Sequence, residues 1–116
     1  MEKELKQQEA VGDCFERAFN LIRSGEGLLH LGTSYLVHGI VYHEAIGYHI
    51  HGWVEDDFVV YDYLDGELLR MSKPGYYEVG QIKTGEGEIF RYTRREAIRK
   101  ATDVGLYYFS ALPCSK

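Results

Sequence analysis

Three strand-like runs follow one another between residues 35 and 64, and the short connections between them leave little choice but a small antiparallel sheet. Tyr35-Leu36-Val37-His38-Gly39-Ile40-Val41-Tyr42 is rich in β-branched and aromatic residues, and the runs Gly47 to Glu55 and Phe58 to Leu64 alternate. The acidic pair Asp56-Asp57 between the last two reads as a two-residue hairpin loop, although it lacks the glycine of the strongest turns.

Helical signals flank these strands. Gly12-Asp13 opens a stretch with Phe15, Ala18, Phe19 and Ile22 at the spacing of one buried helix face. Asp13 reads as N-cap, Glu16 completes a capping box, and Ser24-Gly25-Glu26-Gly27 is a stop, which predicts a helix from Cys14 to about Arg23. Downstream, Pro74 to Ile82 reads as a short helix and Ile89-Phe90-Arg91-Tyr92 as a fourth strand. Thr93-Arg94-Arg95-Glu96 is a full capping box that starts a helix with Ala97, Ile98 and Ala101 inward and Gly105 as its stop. Tyr107-Tyr108-Phe109 is expected to close the C-terminus over the sheet. The expected fold class is α+β: an antiparallel sheet of about four strands, with N-terminal and C-terminal helices packed on it. Residues 1–11 are read as a polar arm and residues 12–116 as a single domain.

Composition narrows the class of protein. With 45% hydrophobic and 27% charged residues, the chain can bury one modest core and is not a disordered polymer. The longest apolar stretches, such as Phe58-Val59-Val60-Tyr61, fall far short of the roughly 20 residues of a membrane span, and Met1-Glu2-Lys3-Glu4 does not resemble a signal peptide. A cytoplasmic protein with reduced thiols at Cys14 and Cys114 is expected. A net charge of −5 argues against general nucleic-acid binding; the basic stretch Lys83 to Lys100 reads as a solvated helix face. No membrane partner and no cofactor are expected.

Candidate chemistry begins at Cys14, because a thiol in the first turn of a helix faces the positive end of the macrodipole, which favours the thiolate. In the hairpin, a loop of Asp56-Asp57 would pair Glu55 with Phe58, set His51 directly across from Asp62 on one face, and set His49 across from Leu64. A slip of one residue would turn Asp62 to the other face. A thiol, an imidazole and a carboxylate are the parts of nucleophilic acyl transfer: Cys14 attacks, His51 moves the proton, and Asp62 orients the ring. Trp53, on the same strand face as His51, could shield that pair or line a groove, or simply pack in the core. A metal reading uses His49 and His51 with Cys14 or Asp62, but the chain has no Cys-x-x-Cys or His-Glu-x-x-His spacing, and this ranks below the hydrolase reading. His30, His38 and His43 are taken as structural or surface residues.

The segments Gly12-Asp13-Cys14-Phe15, Ala18, Leu21, Val37-His38-Gly39, His51-Gly52-Trp53-Val54-Glu55 and Val60-Tyr61-Asp62 resemble the transglutaminase-like cysteine hydrolases, which are distantly similar to papain. The similarity spans residues 12 to 62, and small bacterial and phage proteins of that group look nearest. It implies Cys14 as nucleophile, His51 as general base and Asp62 as orienting residue, with a peptide or small acyl compound as substrate. A papain-like spacing also implies Gln8 as an oxyanion donor beside the Cys14 backbone N–H. Gly52 stands where the family pattern usually has alanine. A second reading keeps the same fold in a noncatalytic binding or host-interaction module, which could be phage-derived.

Overall fold

The first two strands form the longest ladder among the described residues: β1 (Tyr35–His43) and β2 (Gly47–Glu55) pair antiparallel through nine consecutive positions, from Tyr35 opposite Glu55 to His43 opposite Gly47. Around it are β3 (Val59–Leu64), β4 (Glu67–Ser72) and β5 (Ile89–Tyr92), giving a five-stranded sheet in the order β4-β3-β2-β1-β5. The computed structural model of the chain describes residues 14–25, 28–29, 31–64, 66–105, 107 and 110. The expected arm over residues 1–11, the Asp13 cap, Gln8, His30, Cys114 and the pair Tyr108-Phe109 lie outside them.

The α+β architecture is the expected one, with five strands in place of about four. The additional strand, β4, pairs with β3 from Val59 opposite Ser72 to Leu64 opposite Glu67. Only positions 65 and 66 separate the two strands, and Gly66 supplies the left-handed backbone, at φ 82°, that so tight a connection requires.

Strand alternation divides the core between two faces of the sheet. Helix α1, over residues 14–24, buries Ala18, Phe19, Leu21 and Ile22 on one face against Leu36, Val54 and Tyr61. Helix α3 (Arg94–Val104) adds Ala97 to the same layer. The expected capping box holds: the Thr93 hydroxyl accepts from the Glu96 N–H at 3.1 Å, and the Glu96 carboxylate accepts from the Thr93 N–H at 2.9 Å. Gly105 ends the helix at φ 78°. On the opposite face, Val37, Val41, Trp53 and Val60 form a second cluster with Tyr76 and Tyr77 of helix α2 (Lys73–Val79). Ser72 caps α2 by accepting from the Gly75 N–H, and Pro74 lies in its first turn, where its missing N–H costs nothing.

His38, expected to be structural, is buried on the α1 face, edge-on to Phe15 and Tyr92, with Nδ1 2.8 Å from the Ser110 hydroxyl. Ser110 also lies 2.6 Å from the Tyr92 hydroxyl, so His38 and Tyr92 together hold Ser110 against the sheet. No helix among the described residues is long and apolar enough to cross a membrane.

Candidate active site

The β2–β3 hairpin departs from the expected register, and the cause is Asp56. Its buried carboxylate accepts from the backbone N–H groups of Phe58 and Val59, both at 2.7 Å, while the Asp56 N–H donates to the Val59 carbonyl at 2.9 Å. An aspartate that binds the amides two and three residues ahead starts a turn instead of sitting at its tip. The two-residue loop is therefore Asp57-Phe58, with Phe58 73% exposed at its tip, and Glu55 faces Val60 and not Phe58. Moving the loop by one position shifts the pairing by two, so every side chain keeps its face. His51 is thus not directly opposite Asp62, nor is His49 across from Leu64; continuing the observed register puts position 62 beside Trp53, and His51 and Asp62 are diagonal neighbours. Side chains of this length bridge a diagonal: His51 Nε2 lies 2.9 Å from Asp62 Oδ2 and 3.1 Å from Oδ1.

The β2–β3 ladder also stops early, after Glu55–Val60 and Val54–Tyr61. Past Val54 no further ladder pair forms, and Cys14 in the first turn of α1 lines a cavity there with His51 and Asp62. The approach of that helix depends on Gly52. A Cβ there would lie 2.9 Å from Phe15 Cδ1 and 3.5 Å from the Phe15 backbone, so the missing side chain lets α1 lie close against β2. Cys14 precedes Phe15 in the helix and reaches His51 as a hydrogen-bond partner. The three residues brought forward by the sequence therefore meet, with His51 between the other two.

Electrostatics favour a charged ring at His51. Burial works against the imidazolium, but hydrogen bonds to Asp62 and Cys14, together with their charges, push its pKa up to about 10. Asp62 is itself held by other donors: the Tyr63 N–H at 2.8 Å and the Tyr76 hydroxyl at 2.7 Å. Burial and the neighbouring Asp62 charge push the Tyr76 hydroxyl up, so it remains a donor. Sequence reasoning missed Tyr76; the helix start at Ser72-Lys73-Pro74 was the available signal, but which strand α2 would face was not legible.

Trp53 is fully buried and stacks on His51, with ring centroids 6.1 Å apart and planes 28° apart. Its indole N–H donates to Glu55 Oε1 at 2.9 Å, so Trp53 meets the site as an apolar wall and not as a donor. Glu55, 1% exposed, also accepts from the Tyr77 hydroxyl, Arg91 Nε and Lys73 Nζ. Burial alone would raise this carboxyl, yet those donors keep it below the usual carboxylate range. It anchors the wall behind the site.

Two cavities meet at the histidine. One, of about 250 Å³, is lined by Cys14, Ala18 and Leu21 of α1 together with Ile46, His51 and Asp62. The other, of about 280 Å³, lies toward α2 and shares His49, His51, Asp62 and Tyr63 with the first. No family model, curated protein or solved structure matches this chain. Among the described residues, no group of three or more His, Cys, Asp or Glu is arranged to hold a metal ion. His49 Nδ1 instead donates to the Gly47 carbonyl at 3.2 Å.

Proposed function

We propose that the chain is a small cysteine-dependent hydrolase or acyltransferase, acting on a peptide or a small acyl compound through Cys14, His51 and Asp62. The observation that carries this reading is the position of His51, bonded to both Asp62 and Cys14, at the wall of a cavity. A structural His–Asp pair has no need of a thiol bonded to the same ring or of a cavity beside it.

In the proposed cycle His51 carries its proton from the start, since its pKa of about 10 keeps the ring charged through the neutral range. Thiolate and imidazolium form the resting pair. The Cys14 sulfur bonds to the carbonyl carbon, the bond to the leaving nitrogen or oxygen breaks, and His51 gives that atom its proton. This leaves a thioester and a neutral imidazole. Water, or an acceptor amine or alcohol, then gives its proton to His51 as its oxygen or nitrogen bonds to the carbonyl carbon. The carbon–sulfur bond breaks and the resting pair returns. Asp62 keeps the ring oriented and its charge balanced throughout. A reducing compartment such as the cytoplasm would keep the nucleophile available.

Alkylation by iodoacetamide, read by mass spectrometry at each cysteine across pH, tests this without a known substrate. Cys14 is expected to react rapidly well below pH ~8.5, the ordinary thiol value, and to lose that advantage in His51→Ala, with Cys114 as the internal comparison. An inert Cys14, or one indifferent to His51, overturns the hydrolase reading in favour of a noncatalytic binding module.

A further inference from the structure

We propose that the cavity on the α2 side of the His51–Asp62 pair is a second subsite, which takes an apolar group on the leaving-group side of the scissile bond; its chemical sense rests on the hydrolase reading above. Its walls include Val41, Val60, Leu69, Met71, Tyr76 and Val79. Leu69 and Val79 are 38% and 73% exposed, which puts them at a rim open to solvent. Ligand pockets commonly run from about 300 to 1,000 Å³, so a cavity of about 280 Å³ suits one side chain or a short alkyl chain and not a length of polymer.

The assignment to one side of the bond follows from which cavity holds which reacting group. Both cavities reach His51, but only the other is lined by Cys14 and α1. During cleavage the acyl part becomes bonded to the Cys14 sulfur and must stay in the Cys14 cavity. The departing part takes its proton from His51 and needs no contact with Cys14. The α2-side cavity offers that combination, contact with His51 without the nucleophile. Val41, Val60, Leu69, Met71 and Val79 give it a continuous aliphatic share of wall that favours an apolar group, alongside the polar rims of Tyr42, His43, His49, Tyr63 and Tyr76.

The chain has two methionines, Met1 and Met71, so methyl-¹³C methionine labelling puts one reporter in this cavity and one outside the described residues. Cys14→Ala protein, which cannot turn substrate over, is titrated with two neutral isomers: N-butylacetamide, whose chain lies on the leaving-group side, and hexanamide, whose chain lies on the acyl side. N-butylacetamide is expected to move the Met71 methyl resonance saturably. Affinity should rise about fourfold per methylene along the N-alkyl series until the cavity is full. Leu69→Gln, a change on an edge strand at an already exposed position, should weaken that binding severalfold while the rest of the spectrum stays that of the folded protein.

An equal Met71 response to hexanamide overturns the leaving-group assignment. If neither amide moves Met71, the cavity is not a subsite, whatever the alkylation of Cys14 shows. Selective binding at Met71 combined with an inert Cys14 defeats the hydrolase reading and reduces the cavity to a plain binding site, which also overturns the assignment.

Discussion

The Tyr76 hydroxyl donates to Asp62 Oδ2 at 2.7 Å, and so ties helix α2 to the carboxylate that holds His51. Tyr76→Phe removes one charge-assisted hydrogen bond and little else. Such bonds contribute about 1.5–3 kcal/mol, and Asp62 keeps the Tyr63 N–H and the imidazole as donors, so a loss near the lower figure is expected in urea unfolding. Cys14 alkylation should slow as well, because Asp62 then holds the ring less firmly. Unchanged alkylation with reduced stability would make Tyr76 a scaffold residue alone.

Gly52 and Phe15 set how closely α1 approaches β2, since a Cβ at position 52 would stand 2.9 Å from Phe15 Cδ1. Gly52→Ala is expected to destabilise the fold by about 1–3 kcal/mol, the usual cost of overpacking, and to move Cys14 away from His51. Phe15→Leu should cost stability alone but recover part of the loss in combination with Gly52→Ala. A double-mutant cycle on unfolding free energy and alkylation rate measures that coupling; purely additive effects would show that contact with Phe15 does not explain the glycine.

Legibility of the site divides along the same residues. The strand pattern placed His51 and Asp62 on one face correctly because parity survives any shift by two, but the direct pairing was wrong because a buried Asp56 looks like an ordinary loop acid in the sequence. Strand β4 went unread even though Asp65-Gly66 between Leu64 and Glu67 is a strong hairpin signal; its run Glu67-Leu68-Leu69-Arg70-Met71-Ser72 lacks the β-branched residues that marked the other strands. Helix positions carried more information, because caps and 3.6-residue periodicity are local: α1 buries the expected face at Phe15, Ala18, Phe19 and Ile22, and α3 has the expected capping box and glycine stop. Tyr76 and Glu55 act across the sheet, and no local pattern encodes such a contact.

Two histidines should bend the pH dependence of stability from opposite ends. His51 is raised to about 10 against 6.5 in the unfolded chain, so its contribution is complete below pH 6.5 and is lost as pH climbs through 10. Burial, reinforced by the His51 charge, lowers His38 to about 4; its contribution is complete above 6.5 and is lost as pH falls through 4. At 1.36 kcal/mol per pKa unit, the His38 limb amounts to about 3 kcal/mol. Urea midpoints across this range should therefore be highest near pH 6.5. His51→Ala should flatten the alkaline limb and His38→Asn the acid limb, and a midpoint that rises steadily toward pH 10 would contradict the charged ring.

Glu55 separates the scaffold from the chemistry. It is buried between Lys73 and Arg91, each 3.0 Å from Oε2, and it also accepts from Trp53 and Tyr77. Removing one partner of a buried ion pair costs about 3–5 kcal/mol, because the charge left behind has lost its compensation. Here the cations are partly exposed, 28% for Lys73 and 39% for Arg91, and can turn toward water, so Glu55→Gln should fall at or below the low end of that range. The glutamine oxygen can still accept from the Trp53 indole, which keeps the wall behind His51 in place. Unfolding in urea should shift to lower concentration, while Cys14 alkylation under native conditions stays within about twofold of the parent rate, well under the 1.4 kcal/mol that a tenfold change represents. A large fall in alkylation would instead mean that the Glu55 charge reaches His51 directly and belongs to the electrostatics of the site.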